Sequence, residues 1–268
     1  MNKFNLILLV LICYWGKGFS QQMKIVLDRT IPIPIGTESC FIDPQGIMYF
    51  VNKDEIRKES SFGTLVQSIK KWQTIDDIET INSLKVMVFS KSQQQLCMLD
   101  NTLSTNGDCI NLDELDLLNV SAISASKRPD MIWIYDELNS KLILFNYITK
   151  TVIQVVNNLQ GLLGLSGEIA LNENEAGLWI SSSDGKICLM DDFMNVLRCA
   201  SESNQAMIPF ANGFFFANKE SLCYYDLIEG VNEVYKISTT ESTQELYISS
   251  NQLVVRSSSD LKVFIIQP

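Results

Sequence analysis

The feature that most constrains this chain is an internal repeat. An apolar residue is followed by a variable one, two mostly apolar ones, and then Asp or Asn. Leu96-Cys97-Met98-Leu99-Asp100, Leu142-Ile143-Leu144-Phe145-Asn146, Ile187-Cys188-Leu189-Met190-Asp191 and Leu222-Cys223-Tyr224-Tyr225-Asp226 fit the pattern. Leu261-Lys262-Val263-Phe264-Ile265 is a weaker copy, and Ile56-Arg57-Lys58-Glu59 a degraded one. The steps between their first residues are 40, 46, 45, 35 and 39, a mean of 41. A fixed period of this size marks one supersecondary unit repeated along the chain.

A second apolar run precedes each copy: Met48-Tyr49-Phe50-Val51, Met87-Val88-Phe89, Ile132-Trp133-Ile134-Tyr135, Leu178-Trp179-Ile180, Phe214-Phe215-Phe216 and Leu253-Val254-Val255. Aromatic and β-branched residues of this kind suit strands. Polar clusters such as Asn52-Lys53-Asp54, Ser181 to Gly185, Asn218-Lys219-Glu220 and Ser257 to Asp260 separate the two runs. They supply turn residues, so each unit contains a hairpin. Val120 to Ala125 and Thr151 to Val156 are further strands flanking the third hairpin. Four short strands in about 41 residues match one β-propeller blade. The expected fold is therefore all-β, a six-bladed β-propeller over residues 21–268. An irregular β-sandwich also has frequent turns, but it does not predict this period. The last unit ends after its third strand, and Lys24-Ile25-Val26-Leu27-Asp28 is a spare strand before Ile31-Pro32-Ile33-Pro34. An outermost strand tolerates neighbouring prolines, so the N-terminal strand is expected to pair with the last blade and close the ring. Asp76 to Leu84 and Asp113 to Leu118 have helix-compatible spacing but are short enough for loops or distorted strands.

The chain starts with Met1-Asn2-Lys3 and an apolar run from Phe4 to Ile12, too short to span a bilayer and suited to a secretory leader. Gly18-Phe19-Ser20 predicts cleavage before Gln21, giving residues 1–20 as signal peptide. Lipid attachment at Cys13 would want small residues before it, where Leu11 and Ile12 stand. The formal charge of −10 becomes −12 once Lys3 and Lys17 are removed. An acidic chain lacking basic stretches is ill suited to nucleic acid or an anionic membrane. The complete lack of histidine excludes Ser-His-Asp and Cys-His catalysis and His-liganded metals. No later segment reaches transmembrane length.

The aromatic second strand, polar turn and Asp-terminated third strand resemble secreted six-bladed β-propellers of the NHL-like and lactonase-like kind, over residues 24 to 268. Gly-His and Trp-Asp signatures of WD40 repeats are absent. The Ser-Gln-Gln leader end is also similar to that of Gram-negative proteins using the type 9 secretion system, whose outer-membrane translocon is plugged in part by a small propeller subunit. That similarity implies a protein partner in the cell envelope, at the periplasm or outer-membrane periphery, such as an outer-membrane secretion complex. It carries no residue assignments.

Six cysteines follow the leader. Cys97, Cys188 and Cys223 share the third-strand position. Cys109 follows Cys97 by twelve residues and Cys199 follows Cys188 by eleven, so each pair flanks the turn between third and fourth strands. Cys97–Cys109 and Cys188–Cys199 are disulfide candidates, the alternative being small buried apolar residues. Cys40 and Cys223 lack local partners and are expected to be buried free thiols.

A lactonase-like propeller holds a divalent metal in its channel with Glu, Asn and Asp, and uses it as Lewis acid or to activate water. Glu38, Asp43, Asp130, Glu168, Asn172 and Asn212 are candidates near first strands, though an acidic chain places some carboxylates there anyway. The favoured expectation is no metal, no other cofactor and no catalytic residue. Asp76-Asp77-Ile78-Glu79 and Asp113-Glu114-Leu115-Asp116 lack EF-hand spacing and read as solvated loops. Gly161-Leu162-Leu163-Gly164-Leu165-Ser166-Gly167 has no phosphate-loop signature and reads as a loop. Trp133 and Trp179 occupy equivalent second-strand positions and should pack between blades, whereas Trp72 lies outside the repeat and is a candidate exposed contact.

Two functions remain. One is a non-enzymatic interaction module that binds an envelope protein through loops of one propeller face. The other is a metal-dependent, calcium-type lactonase-like hydrolase or a sugar-binding propeller.

Overall fold

Each copy of the repeat folds into four antiparallel strands, and six such sheets form a ring. The computed structural model describes residues 23–267, apart from 44, 54, 71–73, 83, 106, 108, 118, 203–205, 219–220, 237–242 and 244. The first strand, β1 (Lys24–Pro32), belongs to the last sheet. Blade 1 is β2 (Thr37–Ile42), β3 (Met48–Asn52), β4 (Glu55–Glu59) and β5 (Leu65–Lys70). Blade 2 is β6 (Asp77–Asn82), β7 (Lys85–Ser90), β8 (Gln95–Asp100) and the two-residue β9 (Ile110–Asn111). Blade 3 is β10 (Val120–Ala125), β11 (Met131–Asp136), β12 (Lys141–Asn146) and β13 (Thr151–Val156). Blade 4 is β14 (Ile169–Asn174), β15 (Gly177–Ser182), β16 (Lys186–Met190) and β17 (Val196–Ser201). Blade 5 is β18 (Met207–Phe210), β19 (Gly213–Asn218), β20 (Ser221–Asp226) and β21 (Val231–Lys236). Blade 6 is β22 (Glu245–Ser249), β23 (Gln252–Arg256), β24 (Asp260–Gln267) and, outermost, β1.

The apolar runs of the second and third strands now have a cause. Both faces of each blade are covered by neighbouring blades, so β7 and β11 are buried along nearly their whole length. A strand covered on both sides reads as a continuous apolar run rather than an alternation. The outermost strands β5, β13 and β17 are mostly exposed. There is correspondingly one apolar cluster per blade interface, not a single central core. Tyr49, Val51 and Ile56 meet Ile78, Val86, Val88 and Leu99 between blades 1 and 2. Phe89 and Met87 meet Ile132, Ile134 and Phe145 between blades 2 and 3. Trp133 lies between blades 3 and 4, and Trp179 between blades 4 and 5, as their equivalent positions predict. Phe215 and Tyr224 meet Leu253, Val255 and Phe264 between blades 5 and 6. Val254 and Val263 meet Met48 and Phe50 where the ring closes. Gly177 and Gly213 each begin a second strand, where a Cβ would run into the carbonyl oxygen of Met190 or Tyr225. Only glycine lets the third strand pass that close.

Closure follows the sequence expectation. β1 pairs antiparallel with β24 from Lys24 opposite Gln267 to Pro32 opposite Asp260, with one irregularity between Leu27 and Arg29. The innermost strands line the centre, with β6 beside β10, β10 beside β14, β14 beside β18, β18 beside β22 and β22 beside β2. Asp77 to Asn82, inside the Asp76–Leu84 stretch, is the inner strand β6, a distorted strand with an irregularity between Thr80 and Asn82 rather than a solvated loop. The Gly161–Gly167 stretch, read as a loop, is entered by one helical turn, α1 (Leu159–Leu163). Leu159 and Leu163 of that turn are buried between blades 3 and 4, which supplies an anchor that the glycines concealed. Asp113 to Leu115 falls in a 3₁₀ turn, Leu112–Leu115.

Candidate functional site

Antiparallel connection gives the ring two unlike faces. The upper face carries the turns joining first to second and third to fourth strands. The lower face carries the second-to-third turns and the connections between blades.

The Asp or Asn ending the repeat has a specific job on the upper face. Asp100 Oδ1 accepts the N–H groups of Thr102 and Ser104 at 2.8 and 3.0 Å. Asn146 Oδ1 accepts those of Ile148 and Thr149 at 3.0 and 2.9 Å. Asp191 Oδ1 accepts Phe193 and Asn195 at 2.9 and 2.8 Å, and Asp226 Oδ1 accepts Ile228 and Glu229 at 2.8 Å each. Such side-chain caps fix a tight turn. The Thr102 hydroxyl bond holds the Asp100 carboxyl below its ordinary value, and the Asn195 side-chain bond does so for Asp191.

The disulfide candidates are both joined. Cys188 lies opposite Cys199 on β16 and β17, with Cα atoms 4.1 Å apart. Cys97 and Cys109 continue the short pairing of β8 with β9, with Cα atoms 4.3 Å apart. Cys40 and Cys223 are buried free thiols. Burial pushes both thiols up, so neither is an activated nucleophile. The Cys40 Sγ is 3.5 Å from the Tyr247 hydroxyl, beside an Arg256–Glu245 ion pair of 2.7 Å.

The metal candidates divide between the two faces. Glu38 and Glu168 are exposed at the lower ends of β2 and β14, and Asn172 lies within β14 opposite Trp179. Asp43, Asp130 and Asn212 are in upper-face turns. Asp43 is buried and serves its own turn. Its Oδ1 accepts the N–H groups of Gln45 and Ile47 at 2.9 Å, and its Oδ2 takes the Tyr49 hydroxyl at 3.2 Å. Asp130 accepts the Tyr147 hydroxyl at 3.0 Å with Lys85 Nζ 3.9 Å away. Burial, with help from that carboxylate, pushes the Tyr147 phenol up to about 12. The Asn212 carbonyl accepts the Leu227 N–H at 3.1 Å. Among the described residues no three Asp, Glu or Cys side chains come together as a metal cluster. Trp72 lies outside the described residues.

Sequence reasoning missed the most perturbed acids. Asp77 and Glu79 stand two apart on one face of inner strand β6 rather than in a solvated loop. Burial raises both carboxyls well above the ordinary range, and for Glu79 the Asp77 charge adds to it. The Ala125 N–H and the Ser124 hydroxyl of blade 3 bond Glu79 and pull the other way. Glu173 is a comparable link between blades, accepting Lys127 N–H and Trp133 Nε1–H at 2.9 Å each. These acids tie blades together.

The lower face carries an excess of exposed carboxylates. Asp113, Glu114, Asp116, Asp184, Glu168 and Asp76 are all exposed in its turns, where Lys53 and Lys91 also stand, with Lys70, Lys141 and Lys186 at the neighbouring strand ends. Hydrogen bonds from Ser166 and Ser182 hold Asp184 down to about 2. A cavity of about 510 Å³ lined by Gly36, Asn52, Lys53, Glu55 and Lys70 lies on this face at blade 1, away from the ring centre.

No protein-family model matches the sequence, and no curated protein does. Solved structures do. The chain is similar to the WD40 domain of Neurospora crassa Pan2, with a TM-score of 0.59 and 9% identity over 90% of this chain and 95% of that one. It is similar to the β-propeller domain of Myceliophteria thermophila Cps50 (Swd1), with a TM-score of 0.60 and 10% identity over 91% of this chain and 100% of that one. These likenesses are likenesses of fold.

Proposed function

We propose that the protein is a non-enzymatic interaction module of the cell envelope that holds a protein partner against its acidic lower face. The observation that carries this reading is the concentration of exposed carboxylates on turns of one rigid ring face. A surface with an excess of one sign steers and orients a partner of opposite charge. Propellers of the WD40 kind, to which the fold is similar, are typically protein-interaction scaffolds. Residues 1–20 act as a signal peptide in this proposal, and the two disulfides fit an oxidising compartment. The NHL-like architecture and a place beside an outer-membrane secretion complex belong to the same proposal.

The test is a pull-down from native envelope with the purified chain, with elemental analysis of the same sample. A partner should be recovered at low salt and released as ionic strength rises. Asp113→Asn/Glu114→Gln/Asp116→Asn, all in an exposed turn, should weaken capture at least tenfold. Salt-independent capture unaffected by the triple variant would overturn the reading. Stoichiometric calcium together with lactone hydrolysis would replace it with the hydrolase alternative.

A further inference from the structure

The upper face carries a pattern that the protein-binding proposal does not use. The turn between third and fourth strands holds a large exposed apolar residue in four blades: Phe62, Ile148, Phe193 and Ile228. Phe62 and Phe193 are 87% and 83% exposed. Each is the second residue after the capping side chain and is held by the same bond, its N–H donating to Ser60 Oγ, Asn146 Oδ1, Asp191 Oδ1 or Asp226 Oδ1. In blade 2 the equivalent position is Thr102, and Leu84, 64% exposed, stands in the neighbouring turn. The apolar surface then continues over the edge. Leu65 and Val66 begin β5, Val152 and Ile153 lie near the start of β13, and Val196 and Leu197 begin β17, all exposed.

We infer that this rim docks on the surface of an electrically neutral lipid bilayer. Equivalent turns in a ring of like blades lie at one height, so the four tips meet a flat surface together. The caps fix the turn backbones, so the tips need little ordering on contact. Two or three strand residues at about 3.3 Å each make a band roughly 7–10 Å deep, which is the depth to which interfacial elements enter the headgroup boundary. The Phe62 turn is uncharged, while Asp191, Asp192, Asp226 and Glu229 outnumber Lys150 in the other tip turns, so neither these turns nor the chain's charge of −10 gives attraction to anionic lipid. Neutral lipid is therefore the occupant, and its binding leaves the acidic face pointing away from the membrane.

The test is co-sedimentation with pure phosphatidylcholine vesicles. The wild-type chain should pellet with them, and adding phosphatidylserine should not strengthen binding. Phe62→Ser/Phe193→Ser should lower the partition coefficient at least tenfold. Leu138→Ser/Leu162→Ser, exposed on the lower face, should leave it unchanged. Thermal melts of both variants should match wild type, because all four side chains are solvent-exposed. A wild-type chain that stays in the supernatant at millimolar lipid overturns the inference. So do equal losses in the two variants, or a dimer seen by light scattering that the Phe62/Phe193 variant abolishes. Each of these outcomes is independent of whether the lower face captures a protein.

Discussion

At the residue scale, Glu79 shows how an inner strand treats a carboxyl. It borders the channel on β6, with Asp77 two residues away on the same face. Burial, the larger cause, and the Asp77 charge both favour the protonated form. A carboxyl whose folded value lies above its unfolded one contributes stability that is whole below the unfolded value. That stability is lost as pH rises through the folded value. The unfolded chain sheds this proton near its ordinary value of 4.5, while the folded chain keeps it to higher pH, so stability falls with pH across that window. Glu79→Gln has no proton to lose and keeps an oxygen for the Ala125 N–H. Relative to wild type, it should gain about 1.4 kcal/mol between pH 5 and pH 8 for each unit of the shift. Urea melts at the two pH values measure this. An unchanged difference between them would mean that Glu79 titrates like a surface acid.

At the element scale, the two disulfides support unequal ladders. Cys188–Cys199 crosses a pairing that runs from Lys186 opposite Ser201 to Met190 opposite Val196. Cys97–Cys109 adjoins a pairing of only two residue pairs, Gln95 with Asn111 and Leu96 with Ile110. Closing a loop of about a dozen residues stabilises by at most about 3 kcal/mol in the chain-entropy model. Cys97→Ala/Cys109→Ala and Cys188→Ala/Cys199→Ala should each cost up to that much in denaturant melts. Only the first should also speed amide exchange at Ile110 and Asn111 by about tenfold or more, because without it that strand is held only by two residue pairs and the burial of Ile110 and Leu112. The same contrast explains what the sequence could say. Second and third strands were legible because burial on both sides leaves apolar runs such as Ile132-Trp133-Ile134-Tyr135. The cysteines were legible through their place in the repeat. β6 was not, since its acids look solvated in one dimension and become channel-side links only when blade 3 stands beside them. The upper rim was not, because Phe62 and Phe193 look like core residues until the turns place them outside. The acidic clusters were legible, but not that connections between blades would collect them on one face.

At the scale of the whole molecule, the ring is closed by contacts between the most distant parts of the sequence. β1 is the outermost strand of blade 6 and covers β24 along nearly its length. Its Ile31 is buried in the cluster joining blades 6 and 1. The Tyr235 hydroxyl of blade 5 donates to the Met23 carbonyl at 3.1 Å, so the same segment also reaches the preceding blade. Removing it would leave the N–H and C=O groups of β24 unpaired along an edge, a template for another chain. Pairing of such remote segments also carries a large loop-closure cost during folding. A chain starting at Ile33 should therefore melt lower and self-associate, as read by light scattering. A synthetic peptide spanning Lys24–Pro32 should bind that chain by strand addition. It should raise the melting temperature with concentration as RT ln(1 + [L]/Kd) requires and return the protein to a monomer. A truncated chain that stays monomeric, melts with the wild type and ignores the peptide would show that five complete blades and a three-stranded sixth hold the ring unaided.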